Sequence, residues 1–144
     1  MAYLWDSNIL RYYSAKHPIL FENLRRVPSR EVLIPVIVYA EQLRGRIEGL
    51  LHAEPTKLLL AQQYLRNTQE LLSDFDVLFL DPAAVDVLNG LKKQGQTRKR
   101  YADLIIAAQA IAGHHILVTR NTADFQDLVP AIQLQNWIDN RMQG

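Results

Sequence analysis

Four carboxylates in this 144-residue chain stand where they could do chemistry together: Asp6, Glu41, Asp103 and Asp124. Asp6 closes the short apolar run Ala2 to Trp5 and is followed at once by Ser7 and Asn8. Glu41 lies inside a helix-like stretch that opens at Val36. Asp103 falls in the first turn of a segment, Tyr101 to Ala112, that is apolar through its middle. Asp124 follows the run Ile116-Leu117-Val118, with Asn121 between them. Two carboxylates about 5 Å apart at an effective dielectric of about 20 repel by ~3 kcal/mol. Four gathered in one place call for a compensating cation, and an all-oxygen ligand set suits Mg²⁺ or Mn²⁺. Such an ion activates water and steadies a phosphoryl group during in-line displacement.

Each acid, taken singly, has a plainer explanation. Asp103 suits the positive end of a helix dipole. Asp124 and Asn121 suit a turn, and Glu41 suits a solvated helix or an ion pair with Arg44. Their shared position outweighs these explanations, and that position follows from the elements around them.

The chain alternates strand and helix signals. Strands are expected at Ala2 to Trp5, Val32 to Pro35, Val77 to Leu80, Ile116 to Val118 and Ile132 to Leu134. Helices are expected after Asp6, from Val36 to Leu51, from Pro55 to Leu72, from Pro82 to Leu91 and from Tyr101 to Ala112. On the second of these, Val36, Ala40, Leu43, Ile47 and Leu50 form the expected core stripe, and Gly45 is expected to mark a close approach. Leu58, Leu59, Ala61, Leu65, Leu71 and Leu72 give the next helix an apolar face expected to be core. Gly113 is expected to end the Asp103 helix. This alternation predicts a three-layer α/β/α sandwich with a mainly parallel sheet, formed by residues 1–144 as a single domain. In such sheets ligands bind at the carboxyl ends of the strands, which is where Asp6 and Asp124 fall.

A second feature flanks the Asp103 helix. Lys92, Lys93, Arg98, Lys99 and Arg100 occur with no acid among them. A run like this is usually solvated surface. Beside an acidic site, Arg98, Lys99 and Arg100 are expected to grip phosphates. Tyr12, Tyr13 and Tyr101 could stack on unpaired bases.

Composition narrows the classes. The absence of cysteine excludes disulfides and Cys-zinc sites and points to a reducing cytoplasm. No stretch approaches the ~20 apolar residues of a membrane span, so no membrane partner is expected. Asp6 stands where a signal peptide would be apolar, so secretion is not expected. A net charge of +1 advertises no global basic field. A receiver domain would need an acidic pair near the first strand, and a haloacid-dehalogenase-type phosphatase would need Asp-x-Asp where residue 8 is Asn.

Four segments together, LWDSN, YAEQLRG, YADLIIAAQAIAGHHILVTRNTADF and IQLQNW, resemble the PIN domain and specifically the VapC-type toxin ribonucleases of bacterial toxin–antitoxin systems. The resemblance spans nearly the whole chain. It implies a Mg²⁺- or Mn²⁺-binding acidic site of Asp6, Glu41, Asp103 and Asp124, with Ser7 and Asn121 beside it. It implies endoribonuclease activity, a homodimer and inhibition by a cognate antitoxin protein. Asn121 departs from relatives that carry an acid there, so the fourth position is assigned to Asp124, with the choice between the two left open. Ser7 replaces a common Thr and keeps the hydroxyl. The alternative is a non-catalytic RNA-binding or scaffold domain of the same fold, which would be expected to have lost one or more of the acids.

Overall fold

A computed structural model describes residues 1–95 and 99–142. Within these residues five short strands form one parallel sheet: β1 (Tyr3–Trp5), β2 (Val32–Pro35), β3 (Asp76–Leu78), β4 (Ile116–Val118) and β5 (Leu134–Gln135). Their order is β3-β2-β1-β4-β5. The register sets Tyr3 beside Val32 on one side and Ile116 on the other. β1 and β4 are buried at every residue, as strands covered on both faces must be. Six helices flank the sheet: α1 (Ser7–Ser14), α2 (Pro18–Leu24), α3 (Val36–Leu51), α4 (Leu58–Leu72), α5 (Pro82–Lys93) and α6 (Tyr101–Gly113). The expected α/β sandwich is therefore the observed fold, with every described strand pairing parallel.

Trp5, Leu4, Ile34, Leu117, Ile106 and Trp137 are among the largest fully buried side chains. Helix α6 buries eight consecutive residues, Asp103 to Ala110, so Asp103 is drawn into the core region with its apolar neighbours. Ala107, Ala108 and Ala110 are completely covered. Helix α5 pairs with α6 and starts from Asp81, whose carboxylate accepts from the Ala84 amide at 2.8 Å, with Pro82 in the first turn.

Several expectations need correction. Strand β3 starts at Asp76 and ends at Leu78, leaving Phe79 and Leu80 exposed in the turn before Asp81. Ile132 lies in a 3-10 turn, Ala131–Gln133, and β5 starts only at Leu134. Pro55–Lys57 is likewise a separate 3-10 turn ahead of α4. The stripe on α3 is not core: Val38 is its one buried residue, and Arg44 to Gly49 are all exposed, including Ile47. Gly45 meets nothing, because a Cβ there would point into open space. On α4, Leu72 is buried but Leu59 is 80% exposed. The physical reason is shared. α3 and α4 pack chiefly on each other, so their amphipathic faces are only partly covered by the sheet. A 3.6-residue period reports that a face is apolar, not what covers it.

The end of α6 is also displaced by one residue. The left-handed position is His114, at φ 52°, and Gly113 is helical. The His115 amide donates to the Ala110 carbonyl at 2.9 Å and the His114 amide to Ile111 at 3.3 Å, the paired bonds of a Schellman motif. Gly113 has a different reason to be glycine: a Cβ would overlap the imidazole of His115. That ring is held in place because its Nδ1 accepts from the Ala2 amide at 3.1 Å.

Candidate active site

Asp6 follows the buried strand β1 at the centre of the sheet and caps α1. Its amide donates to the Val118 carbonyl at 3.0 Å, which lays it alongside the end of β4. Its carboxylate is almost fully covered and well partnered. Oδ1 accepts from the Ser7 amide at 2.8 Å. Oδ2 accepts from the Thr119 hydroxyl at 2.9 Å and from Asn8 Nδ2 at 3.1 Å. Thr119 is completely buried, and its Oγ1 also accepts from the Asn121 amide at 3.0 Å. Asn8 Oδ1 accepts from the Arg120 amide at 3.1 Å. Strand ends β1 and β4 are thus stitched together around one carboxylate.

Glu41 lies in the second turn of α3, half-buried, and pairs with Arg100 at 3.4 Å. Asp103 lies in the first turn of α6 and is 8% exposed. Asp124 ends the 3-10 turn Thr122–Asp124 with its side chain exposed. Burial pushes the Asp103 carboxyl above its usual range; the positive charge of Arg100 opposes this, and the charges of Asp6, Asp124 and Glu41 add to it. The four acids named from sequence therefore share one electrostatic environment at the carboxyl edge of the sheet. No three of them stand at coordinating spacing among the described residues. Glu41 is instead drawn to Arg100. The donor set is oxygen only and carries mutual repulsion relieved in part by that guanidinium, which is the chemistry a hard divalent cation fits.

Ser7 contributes its amide to Asp6, and Asn121 contributes its amide to Thr119. The basic run is less free than its composition suggests. Lys99 pairs with Asp127 at 2.9 Å and donates to the Asp124 carbonyl at 3.2 Å, and Arg100 pairs with Glu41. Arg98 lies outside the described residues. Of the stacking candidates, Tyr101 is exposed and Lys92 lies over its ring. Tyr12 packs between Arg11 and Arg120, whose guanidinium donates to its hydroxyl. Tyr13 is part of an aromatic cluster with Trp5, Phe21 and Phe75 and is not available for stacking on bases.

Thr119 and Asn8 were not singled out from sequence. The signal for Thr119 is a polar residue directly after a strand buried on both faces, where a hydroxyl needs a partner. The signal for Asn8 is an amide two residues after Asp6, within reach of the same carboxylate.

Comparison with known proteins bears on the family and the fold. The PIN domain family profile matches residues 3–129. Ribonuclease VapC1 of Haemophilus influenzae strain R2866 is 27% identical over 143 residues, 95% of this chain and 98% of the relative. Among solved structures, VapBC-1 from nontypeable Haemophilus influenzae superposes with a TM-score of 0.71 at 27% identity, covering 95% of this chain and 98% of that one. VapBC2 from Rickettsia felis, bound to a DNA fragment from its promoter, gives 0.70 at 27% identity, covering 95% and 99%. DNA-bound VapBC from Salmonella typhimurium gives 0.72 at 21% identity, covering 95% and 98%, a likeness of fold.

Proposed function

The chain belongs to the PIN domain family, and from that premise we propose that it is a metal-dependent endoribonuclease, the toxin of a toxin–antitoxin pair. The observation that carries this reading is the buried Asp103 carboxyl held among the charges of Asp6, Glu41 and Asp124. Those four residues would hold Mg²⁺ or Mn²⁺, with Ser7 and Asn121 in support. When bound, the ion supplies the positive charge that activates water and steadies the phosphoryl group.

The chain's own residues orient that chemistry. Thr119, Asn8 and the Ser7 amide fix both oxygens of Asp6. Arg100 pairs with Glu41 and its charge opposes the rise of the Asp103 carboxyl. The neighbouring Arg98, Lys99 and Arg100 would bind the RNA backbone, the last two once drawn away from their acidic partners. The chain has no cysteine, and no serine is paired with a histidine among the described residues, so the proposed hydrolysis uses the activated water directly.

The relatives named VapBC pair a toxin with an antitoxin, and the exposed apolar residues Ile47, Leu51, Leu58, Leu59 and Leu60 on α3 and α4 support a protein partner here, an antitoxin or a second copy of the chain. No helix is long and apolar enough to cross a membrane among the described residues.

Calorimetry with MnCl₂ and cleavage of a labelled RNA with and without EDTA test the reading. Saturable Mn²⁺ binding and metal-dependent cleavage, both lost in Asp6→Asn, are expected. Tight RNA binding with neither metal binding nor cleavage would instead identify a non-catalytic domain.

A further inference from the structure

A groove of about 680 Å³ opens between α1 and the α3–α4 pair, beginning at Ser7 and Asn8. Its walls carry two guanidinium groups, Arg11 and Arg46, and no acidic side chain. Both arginines rest on aromatic rings: Arg11 lies 5.5 Å from the centre of Tyr12 and Arg46 lies 5.2 Å from that of Tyr64. Arg46 is pinned a second time, since its Nε donates to the buried Thr68 hydroxyl at 3.2 Å. Neither arginine has a carboxylate partner among the described residues, whereas Arg44, Lys99, Arg100, Arg120 and Arg141 each do.

The groove wall adjoins two of the acids in sequence. Ser7 follows Asp6 on α1, and Gln42, in the groove wall, follows Glu41 on α3. An acidic centre hydrolysing a phosphodiester needs the rest of the polyanion held nearby by fixed positive charge. A guanidinium fixed at Nε keeps its two terminal nitrogens free for a phosphate, and stacking lowers the entropy lost in using them.

We propose that this groove binds a single-stranded RNA segment flanking the scissile bond, with Arg11 and Arg46 as phosphate clamps and Tyr64, 46% exposed, as a base-stacking surface. This rests on the ribonuclease reading above. It moves the principal backbone grip from the basic loop, whose Lys99 and Arg100 are engaged with acids, to the α1–α3–α4 groove. The absence of acid from the walls disfavours a basic peptide as occupant, and an acidic peptide remains the rival that the test separates.

The test reads binding in EDTA, so cleavage is not required. A fluorescein-labelled, mixed-sequence 15-nucleotide single-stranded RNA is titrated with the parent, Arg11→Ala, Arg46→Ala, Arg46→Lys, Tyr64→Ala and Tyr64→Phe. Arg44→Ala, which loses an arginine already paired with Glu48, controls for net charge. Arg11→Ala and Arg46→Ala should each weaken binding about tenfold, as expected for loss of a charge-assisted hydrogen bond. Each should lower the salt slope by about 0.7. Tyr64→Ala should weaken binding and Tyr64→Phe should not, while Arg46→Lys, which keeps charge but not the fork, should fall between parent and Arg46→Ala. Thermal melts confirm that each variant is folded. Groove variants that bind RNA like the Arg44→Ala control overturn the proposal. So do variants that keep RNA binding but lose a poly-glutamate peptide. If the RNA effects appear yet the parent cleaves nothing with Mn²⁺, the nuclease reading fails and the groove assignment stands.

Discussion

The hydroxyl of Thr119 donates to Asp6 Oδ2 at 2.9 Å across 113 positions of sequence, and both groups are buried. The same oxygen of Thr119 accepts from the Asn121 amide, so one side chain couples the end of β4 to the end of β1. Asn8 Nδ2 donates to that oxygen as well, at 3.2 Å, so replacing Thr119 by Val keeps the shape and removes all three bonds. Leaving a buried carboxylate oxygen and an amide short of a partner costs on the order of 1–3 kcal/mol. Thr119→Val should therefore lose about that much in urea unfolding and lose RNA cleavage, whereas Thr119→Ser should retain most of both. Equal stability of Val and Thr proteins would show that Asn8 and the Ser7 amide suffice to hold Asp6.

Asp103 tests whether the acids are kept for a cation or for the fold. Its carboxyl is raised by burial and by the neighbouring acids, so the folded chain binds its proton more tightly than the unfolded chain does. Its folded-state advantage is complete below the ordinary carboxylate range and is lost as pH rises through the raised value, leaving a strained charge at neutral pH. Metal-free Asp103→Asn should melt at the parent temperature or above. Added Mn²⁺ should stabilise the parent by mass action and the variant little. A residue present only to favour the helix dipole predicts the opposite, a loss of about 0.3–1 kcal/mol in the variant.

How far the sequence exposes all this depends on the range of the cause. Strands β1 and β4 and helix α6 are legible because unbroken apolar runs leave them no place but the core, and Val36–Leu51 appears with its observed limits. The placing of Asp6 directly after β1 and of Asp103 in the first turn of α6 is legible from strand and helix alternation alone. The Thr119 bond and the pairing of Arg100 with Glu41 join positions 113 and 59 apart, and nothing local announces them. The apolar stripes on α3 and α4 are real periodicities that the sheet covers only in part, so Ile47 and Leu59 are exposed.

Arg100 acts as a resident counter-charge for Glu41. The pair is partly exposed, so its worth is small, about 0.2–1 kcal/mol. A divalent cation recruiting Glu41 must displace that guanidinium. Arg100→Gln should therefore bind Mn²⁺ about two- to fivefold more tightly in calorimetry, the size set by an exposed pair. An unchanged or weaker affinity would mean that Glu41 reaches the cation without leaving Arg100.

The end of α6 offers a pair of substitutions with opposite signs. His114 holds φ 52°, a conformation that costs a side-chain-bearing residue about 1–2 kcal/mol, so His114→Gly should stabilise the protein by about that amount, less the entropy glycine adds to the unfolded chain. Gly113→Ala would gain helix propensity elsewhere, but here the new methyl displaces the His115 ring and should destabilise by about 1–3 kcal/mol. Chemical denaturation of the two variants gives the order directly, and a stabilised Gly113→Ala would show that the ring moves freely.

His115 itself should make stability depend on pH. Burial, the N-terminal ammonium and the His114 charge push its pKa below the ordinary value, while Asp81 pulls weakly the other way. The unfolded chain therefore binds a proton that the folded chain resists, and stability rises with pH wherever that holds. The contribution is complete above the ordinary histidine value of about 6.5 and is lost as pH falls through it toward the lower folded value. Protonation also ends the ability of Nδ1 to accept from the Ala2 amide, one of the bonds that tie the chain start to the start of β4. Urea melts of the parent at pH 7.5, 6.5 and 5.5 should show falling stability. His115→Gln, which keeps an acceptor and cannot be protonated, should show a shallower decline, with every other titrating group common to both proteins. Parallel slopes would place the pH dependence elsewhere in the chain.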